Sequence, residues 1–596
     1  MALNDTQKLR MHLVAGIVVL AFVAVLGRLY QIQCLDHKKY EKIAASQHYA
    51  KIPIPARRGR ILDSRGTALA ICLPADSLFA DPPEVEQKGE AAWKLAPLLG
   101  LEPQEIFLKL IRESRFSWIK RTLPPEEADA VRKLRIRGLG FCREYRRGYP
   151  HASLMGQTIG FVGTGDVTDP VGIKGVAGVK GLAGLELTMQ QYLAGVNGYR
   201  VAQRDAAGTS IASPDLKEIP AVNGLDVTLT IDANIQRIAE EEVLKTSRDW
   251  KPIGAVAVVM DPNTGDILAL VNWPYFDPNT FATLKPDKLQ KLSKNSAVLD
   301  TYEPGSTFKP FTMCGALEEN VLNPNTVIDC ESGVAIINRR RLRDTQAHHA
   351  LTARQVMERS SNIGMAKIGL LLGPARLHQY ISAFGFGTRA GLPIAGEEPG
   401  RLAPVAKWSG YTISSIPMGQ EVAVTAVQLT TGYSAIAAGG KLMKPRLVKK
   451  VANPDTGEVV TDFPPVIVRQ VVSTATARAV TDMLVGVVED AHGTGKRAQI
   501  DGYRVAGKTG TAQKAIGGVY SSTDYISSFV AFAPAYNPRI CVLVKIDTPR
   551  GHSHYGGTVA APAVREIIRR TLAYMDVPPD THRLAKSLEP VGEMGD

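Results

Sequence analysis

Met11 to Gly27 reads MHLVAGIVVLAFVAVLG, a run with no Asp, Glu, Lys or Arg. It is close to the shortest helical run, about 17 residues, that crosses the hydrocarbon core of a bilayer. Leu29, Tyr30 and Ile32 lengthen it if Arg28 carries its charge back to the interface on its aliphatic stem. No small-x-small cleavage site follows, so the run predicts a retained anchor over residues 11–30 rather than a removed leader; the short segment 1–10 before it is cytoplasmic if the body of the chain lies outside. Cys34 lacks the small residues expected of a lipidation site. A buried core helix is the competing reading. No second long apolar run appears, so the chain reads as single-pass. Lys8 and Arg10 precede the run while Lys38, Lys39 and Lys42 follow it, so charge alone does not orient it.

The rest of the chain is built to fold in water. With 596 residues it has room for two or three domains. Hydrophobic residues make up 45% and charged residues 21%, a globular balance. The net charge of +12 suits nucleic acid, anionic lipid, an anionic polymer, or no specific partner at all. Six cysteines are scattered without CxxC or zinc-ligand spacing, which argues against a disulfide framework and leaves open only an isolated Cys314–Cys330 bridge. The pairs His348-His349 and His552-His554 lack ligand spacing and read as loop residues; no metal is expected.

Residues 31 to about 220 are rich in Gly, Arg and short strand-like runs and hold no nucleophile constellation. Val227 to Ile231 reads as a strand, and Asp232 as the cap of a helix through Leu244 with apolar spacing at Ile235, Ile238 and Val243. Ala255–Met260, a turn at Asp261-Pro-Asn-Thr-Gly265, and Ile267–Val271 make a hairpin. A second hairpin is expected from Ile526–Phe532 and Ile540–Ile546, and a terminal helix from Ala560 to Tyr574. Between the hairpins the sequence reads as mostly helical, with one further strand around Tyr503 to Ala512. Strands, a helical block, then strands and a helix predict an α+β domain over 225–580: an antiparallel sheet with helices on both faces and an inserted helical subdomain, followed by a tail, 581–596.

Three short motifs fall at telling places. In Glu303-Pro-Gly-Ser-Thr-Phe-Lys-Pro310, Ser306 starts a helix and Lys309 lies three residues on, on the same face. A serine needs a base, and lysine can serve where burial or neighbouring cations lower its pKa. Ser360-Ser361-Asn362 follows a helix opened by Thr352 and Gln355 and forms a short interhelical loop that can present Ser360 and Asn362 to a cleft. Gly507-Lys508-Thr509-Gly510-Thr511 continues a strand; its lysine and two hydroxyls can hold a carboxylate, and Gly510 lets substrate backbone approach. No GxxxxGK precedes Lys508, so it is not a phosphate loop. Each motif alone is weak, since serine-lysine pairs, turns and helix caps are common.

In this order the three resemble the motif set of serine β-lactamases and penicillin-binding proteins. Arg58-Gly-Arg-Ile-Leu-Asp63 with Gly66, Arg143 to Pro150 with Gly156, Gly160 and Gly163, and Gly181, Gly184 and Glu186 with Gly195 and Gly198 resemble the pedestal motifs of class B penicillin-binding proteins. Arg147 interrupts the usual spacing of the second. Their plain reading is turn glycines and a surface salt bridge. Over nearly the whole chain the similarity is to the division-type FtsI and SpoVD group. The resemblance implies an elongated pedestal of the dimerisation type over 31–220 and a transpeptidase domain outside the bacterial inner membrane. It implies stem peptides of peptidoglycan and β-lactams as ligands, no cofactor and no nucleic acid, and an FtsW-type glycan polymerase with other division proteins as partners. Ser306 would be the nucleophile, Lys309 its base, Ser360 the relay and Asn362 the holder of the peptide amide. Lys508, Thr509 and Thr511 would set local charge and grip the terminal carboxylate, Gly510 would belong to the same substrate-binding strand, and the backbone amides of Ser306 and Thr511 would form the oxyanion hole. Elongation or sporulation transpeptidases, a D,D-carboxypeptidase, and a non-enzymatic β-lactam sensor or scaffold are the alternatives.

Overall fold

The computed structural model describes residues 4–41, 49–165, 178–204, 210–211 and 218–580; the expected tail at 581–596 lies outside them. The chain forms two compact units, the first taking residues 1–57, 166–178 and 195–223. It opens with helix α1, Asp5–Tyr30, continued by a π-helical stretch to Leu35. Asn4 and Gln7 close its N-terminus as a reciprocal capping box. Asp5–Leu35 is, among the described residues, the one helix long and apolar enough to cross a membrane. None of the α1 side chains is buried, so its apolar surface is exposed among the described residues. In the same unit strand Gly198–Arg204 pairs antiparallel with Tyr49–Ile54, Glu218–Ile219 and Ser210–Ile211.

The second unit holds the remaining chain. Its first sheet is organised by β1, Ala68–Ala80, which pairs antiparallel with Ser117–Leu123 and with β2, Leu139–Gly148. The same sheet runs on through Ile61–Leu62 and Asp226–Leu229 to Val448–Ala452, so strands far apart in sequence share one ladder. Beside it Arg58 and Arg147 both reach Glu186: Arg58 Nε donates to Oε2 at 2.6 Å and Arg147 Nε to Oε1 at 2.6 Å. Arg58 also donates to the Glu186 carbonyl at 2.7 Å, and Arg147 to the Gly59 carbonyl at 2.7 Å. The expected surface salt bridge is therefore a buried one, with Glu186 fully enclosed, and Arg147 belongs to it. A Cβ on Gly181 would sit 1.9 Å from the Glu186 carbonyl oxygen, so the chain closes round this cluster only through a glycine.

A second layered region follows. Helix α2, Ala233–Trp250, starts where Asp232 accepts from the Asn234 and Ile235 amides, and runs beyond the expected Leu244. Strands β3, Gly254–Met260, and β4, Ile267–Trp273, form the first hairpin. Then come α3, Lys309–Glu318; a hairpin of β5, Val334–Ile337, and β6, Arg340–Arg343; and helices α4, Ala353–Glu358, and α5, Asn362–Leu372. Strands β7, Ala506–Ile516, β8, Val519–Ala533, and β9, Ile540–Asp547, precede α6, Ala561–Tyr574. The sheet order is β4-β3-β9-β8-β7, antiparallel throughout. Alternate residues of β3 serve two cores. Val256, Val258 and Met260 join Phe308 and Phe311, while Ala255, Ala257 and Val259 join Ile235, Val243 and Ile568. A strand covered on both faces reads as one unbroken apolar run, as this one does.

The block between the hairpins is less helical than expected. Besides β5 and β6 it contains the pairs Val327–Asp329 with Ala350–Thr352 and Lys441–Met443 with Ile467–Gln470. These strands are three or four residues long. The β5–β6 turn uses Asn338 and Arg339, both at positive φ (50° and 65°), with no glycine to announce it.

Candidate active site

Ser306 lies in a 3-10 turn, Gly305–Phe308, and α3 proper begins at Lys309; the serine precedes the α-helix instead of opening it. The Tyr433 hydroxyl donates to the Thr307 carbonyl at 2.7 Å, and Thr307 Oγ1 donates to the Pro304 carbonyl at 2.7 Å, which fixes the turn. The turn packs on β7. A Cβ on Gly510 would lie 2.8 Å from Thr307 Cγ2 and 3.0 Å from the Pro304 carbonyl oxygen. The sequence predicts that Gly510 makes room for substrate; in the structure the space it leaves is closed by Ser528 Oγ of β8, 2.5 Å from such a Cβ, and by the serine turn.

Lys309 and Lys508 are both fully buried and meet at one hydroxyl. Lys309 Nζ donates to the Ser360 carbonyl (2.6 Å), Ser360 Oγ (3.1 Å) and Asn362 Oδ1 (2.9 Å). Lys508 Nζ donates to Ser360 Oγ at 2.9 Å and to Thr509 Oγ1 at 3.3 Å. Ser360 reaches both because it sits in the α4–α5 loop at φ 60°, a left-handed conformation that costs a non-glycine residue about 1–3 kcal/mol. Bonds from the Ser360 amide to the Met357 carbonyl and from the Ser361 amide to the Val356 carbonyl hold it there.

Burial pushes Lys309 down to about 7, against the opposing pull of Asp344. Burial, and then the charge of Lys309, hold Lys508 well below the ordinary lysine range. Two ammonium groups on one hydroxyl cannot easily coexist, so the pair titrates as a unit. The three acceptors round Lys309 match the three N–H bonds of an ammonium. A neutral amine must release one of them, which frees a lone pair to act as a base.

A cleft of about 820 Å³ is lined by Ser306, Ser360, Asn362, Thr509 and Thr511. The structure thus brings the nucleophile candidate, the loop hydroxyl and the strand hydroxyls to one cavity, with the two lysines beneath. Thr511 Oγ1 accepts from the Gly556 amide at 3.1 Å, and Thr509 Oγ1 meets Thr494 Oγ1 at 3.0 Å.

Asp344 is a residue of the candidate site that sequence reasoning missed. Its Oδ1 accepts from the Asn362 amide (2.5 Å) and the Ile363 amide (3.0 Å), and Oδ2 accepts from Ser361 Oγ (2.6 Å). Asn362 Nδ2 donates to the Arg343 carbonyl at 3.0 Å. The end of the β5–β6 hairpin therefore clamps the Ser-Ser-Asn segment from outside. A lone aspartate well upstream of its partners carries no spacing signal.

Among the described residues no group of three or more His, Cys, Asp or Glu side chains is arranged to hold a metal. His349 pairs with Ser332, His552 lies against Trp250, and His554 stacks on Tyr525 with ring centroids 4.0 Å apart at the cleft wall. All six cysteines are free, so Cys314 and Cys330 are not bridged.

With this geometry in place, the likeness to known proteins is specific. The family described as "Penicillin binding protein transpeptidase domain" matches residues 255–569, and the "Penicillin-binding Protein dimerisation domain" matches 53–229. The chain is 32% identical over 591 residues to Stage V sporulation protein D of Bacillus subtilis, covering 98% of this chain and 89% of that one. It is 30% identical over 582 residues to peptidoglycan D,D-transpeptidase FtsI of Escherichia coli, covering 96% and 92%. It is similar in structure to a peptidoglycan synthetase from Bifidobacterium adolescentis, with a TM-score of 0.70 and 26% identity, covering 89% of this chain and 98% of that one. Two family matches in the expected order, whole-length relatives and a shared fold agree: this chain belongs to the class B penicillin-binding proteins, of the FtsI and SpoVD type.

Proposed function

We infer that this class B penicillin-binding protein works as a serine-type peptidoglycan D,D-transpeptidase, and we propose a role for each cleft residue. Ser306 Oγ bonds to the carbonyl carbon of the penultimate D-alanine while its proton passes to Lys309. The C–N bond to the terminal D-alanine breaks, and the leaving amine takes a proton through Ser360. An amine of a second stem peptide then attacks the acyl-enzyme and frees Ser306. Asn362 holds the peptide amide, Lys508, Thr509 and Thr511 take the terminal carboxylate, and the amides of Ser306 and Thr511 face the developing oxyanion. A lost oxyanion donor costs about 3 kcal/mol of transition-state stabilisation.

One observation carries this reading: a single hydroxyl, Ser360, bridges two buried lysines under the cleft that holds Ser306. Residues 225–580 act as the catalytic domain, outside the cytoplasmic membrane, with 11–30 as its anchor. Residues 31–220 serve as a docking surface for a glycan-polymerising membrane partner of the FtsW type during septal synthesis. The names of the relatives support the cell-wall role; the apolar helix supports the anchor.

The test is covalent labelling with a fluorescent penicillin, which wild type takes up and Ser306→Ala does not. A thioester stem-peptide donor then separates transfer from hydrolysis. Slow decay in water, accelerated by a D-amino acid acceptor, is expected; fast hydrolysis without acceptor product would make the protein a carboxypeptidase.

A further inference from the structure

The cleft is lined by six cationic side chains, Arg340, Arg341, Arg343, Arg359, Lys496 and Arg497, and by one carboxylate, Glu303. That carboxylate is already engaged, accepting from the Tyr520 hydroxyl at 3.0 Å and the Glu421 amide at 2.9 Å. Among the described residues none of the six cations makes a contact ion pair with a carboxylate, although Glu358 feels the charge of Arg359. Arg340 is held by neutral groups, donating to Ser415 Oγ at 2.6 Å and Gln420 Oε1 at 3.0 Å. Arginines elsewhere are treated differently: Arg60, Arg147, Arg446 and Arg570 each have an acidic partner within 3 Å.

The β5–β6 hairpin shows how two of these charges are presented. Ala335, Ile337 and Leu342 pack with Ile363, Ala366 and Met418, which anchors one face of the hairpin beside α5. Side chains alternate along a strand, so Arg341 and Arg343 lie on the opposite face. Both are exposed and line the cleft. The Arg343 carbonyl accepts from Asn362 Nδ2, so the backbone of this cleft-lining arginine meets the Ser-Ser-Asn motif itself. Arg359 immediately precedes Ser360 and lines the same end. Unpaired cations of one sign around a cleft raise the local concentration of anions.

We propose that Arg341, Arg343 and Arg359 form an anion-binding wall that selects donor peptides with free internal carboxylates over the same peptides with those groups amidated. The inference rests on the transpeptidase reading, in which Asn362 holds the donor backbone upstream of the cleaved bond. Internal acidic groups of the donor then pass beside the hairpin, while the terminal carboxylate stays at Lys508, Thr509 and Thr511.

The test uses the full-length protein and two thioester donors, identical except that internal carboxylates are free in one and primary amides in the other. Wild type should favour the acidic donor in kcat/KM by about tenfold at low salt, the scale of two or three exposed charge pairs, with the difference in KM. The preference should shrink in 0.5 M salt, where screening is severe. In Arg341→Gln/Arg343→Gln the ratio should fall towards one. Equal use of both donors by wild type, or a preference that survives both high salt and the double variant, overturns the proposal. If the double variant fails to fold, the salt series and Arg359→Gln decide between the same outcomes. Failure of the underlying reading looks different: wild type would then not acylate Ser306 with penicillin at all.

Discussion

In the pedestal, Arg58 and Arg147 are buried against one buried carboxylate, Glu186; in the cleft, Lys309 and Lys508 are buried against one hydroxyl, Ser360. The first arrangement gives each cation an anionic partner, although two guanidinium groups share one carboxylate. Burial alone would lower the Arg147 pKa, and Glu186, with Cys72 and Tyr149, outweighs it, so Arg147 ends above the ordinary arginine value. The second arrangement leaves charge uncompensated, and the lysines respond by losing their protons more easily. A buried cation with its own anion is architecture; a buried cation without one is a base in waiting. The same contrast separates the residues at which substitution should unfold the protein from those at which it should only silence it.

The largest effect is expected at Lys309. Lys309→Met should cut penicillin acylation by about 10³-fold, within the range for loss of a general base. Stability should hold or improve, because relief from burying an ammonium with no carboxylate in ion-pair contact offsets the three hydrogen bonds that methionine gives up. The gain has a definite pH window. The folded lysine titrates at about 7 and the unfolded one near 10.5, so between these values the unfolded chain holds more protons and the folded state gains as pH rises. The stability advantage of the Lys309→Met variant over wild type should therefore be full below pH 7 and gone by pH 10.5. A melting series of both proteins across that range checks it; a large loss of stability at pH 6 would mean that Lys309 is structural.

Glu186→Gln should do the reverse. It strands two buried guanidinium groups, a class of change that costs about 3–5 kcal/mol. Urea denaturation should show that loss, while molecules that remain folded still acylate with penicillin. An unchanged denaturation midpoint would mean that water reaches the cluster and the contrast with the cleft is false.

A smaller effect follows from pH alone. Acylation needs a neutral Lys309, so its rate constant should fall on the acid side with a midpoint near 7, by about tenfold per unit below it. The midpoint belongs to the coupled lysine pair. A flat profile from pH 5 to 8 would remove Lys309 from the role of base.

How much of this was legible in the sequence follows the same physical divide. The apolar run of α1, the β3–β4 hairpin and the capping box Thr352–Gln355 depend on local pattern, and each is found where the residues placed it. The three motifs were visible because each carries its own turn, cap or strand. What was not legible depends on distant partners. The β5–β6 hairpin turns on Asn338 and Arg339 without glycine, and its RRLR strand looks like a solvated loop. Arg58, Arg147 and Glu186 looked like surface charge because only the fold shows that they are enclosed together. Gly510 has the residue type that a substrate-facing strand would use, yet its neighbours are Ser528, Thr307 and Pro304.

Asp344 offers the finest test, because it brings into the cleft the feature that marks the pedestal: an acidic side chain whose charge is felt by a buried cation. It does two jobs that one substitution separates. As a hydrogen-bond acceptor it fixes the amides of Asn362 and Ile363 through Oδ1 and Ser361 through Oδ2. As a charge it raises the Lys309 pKa against burial. The charged groups facing Lys309 are Asp344 and Lys508; on the helices packed round α3, Lys367 and Arg376 are turned to Glu331 and Glu319. In Asp344→Asn the Oδ1 acceptor can remain, and the new amide can face Ser361 Oγ, so the loop geometry should persist while the charge is lost. Without that charge Lys309 should lose its proton more readily, and the acid limb of acylation should move to lower pH by less than about one unit, the scale of one partly screened charge. Asp344→Ala removes both roles and should lower the plateau rate as well, by about tenfold, as expected of a group that positions others. A limb that moves to higher pH in Asp344→Asn, or a plateau that collapses equally in both variants, would show that the carboxylate acts on the loop alone and that the lysines set their own protonation by burial.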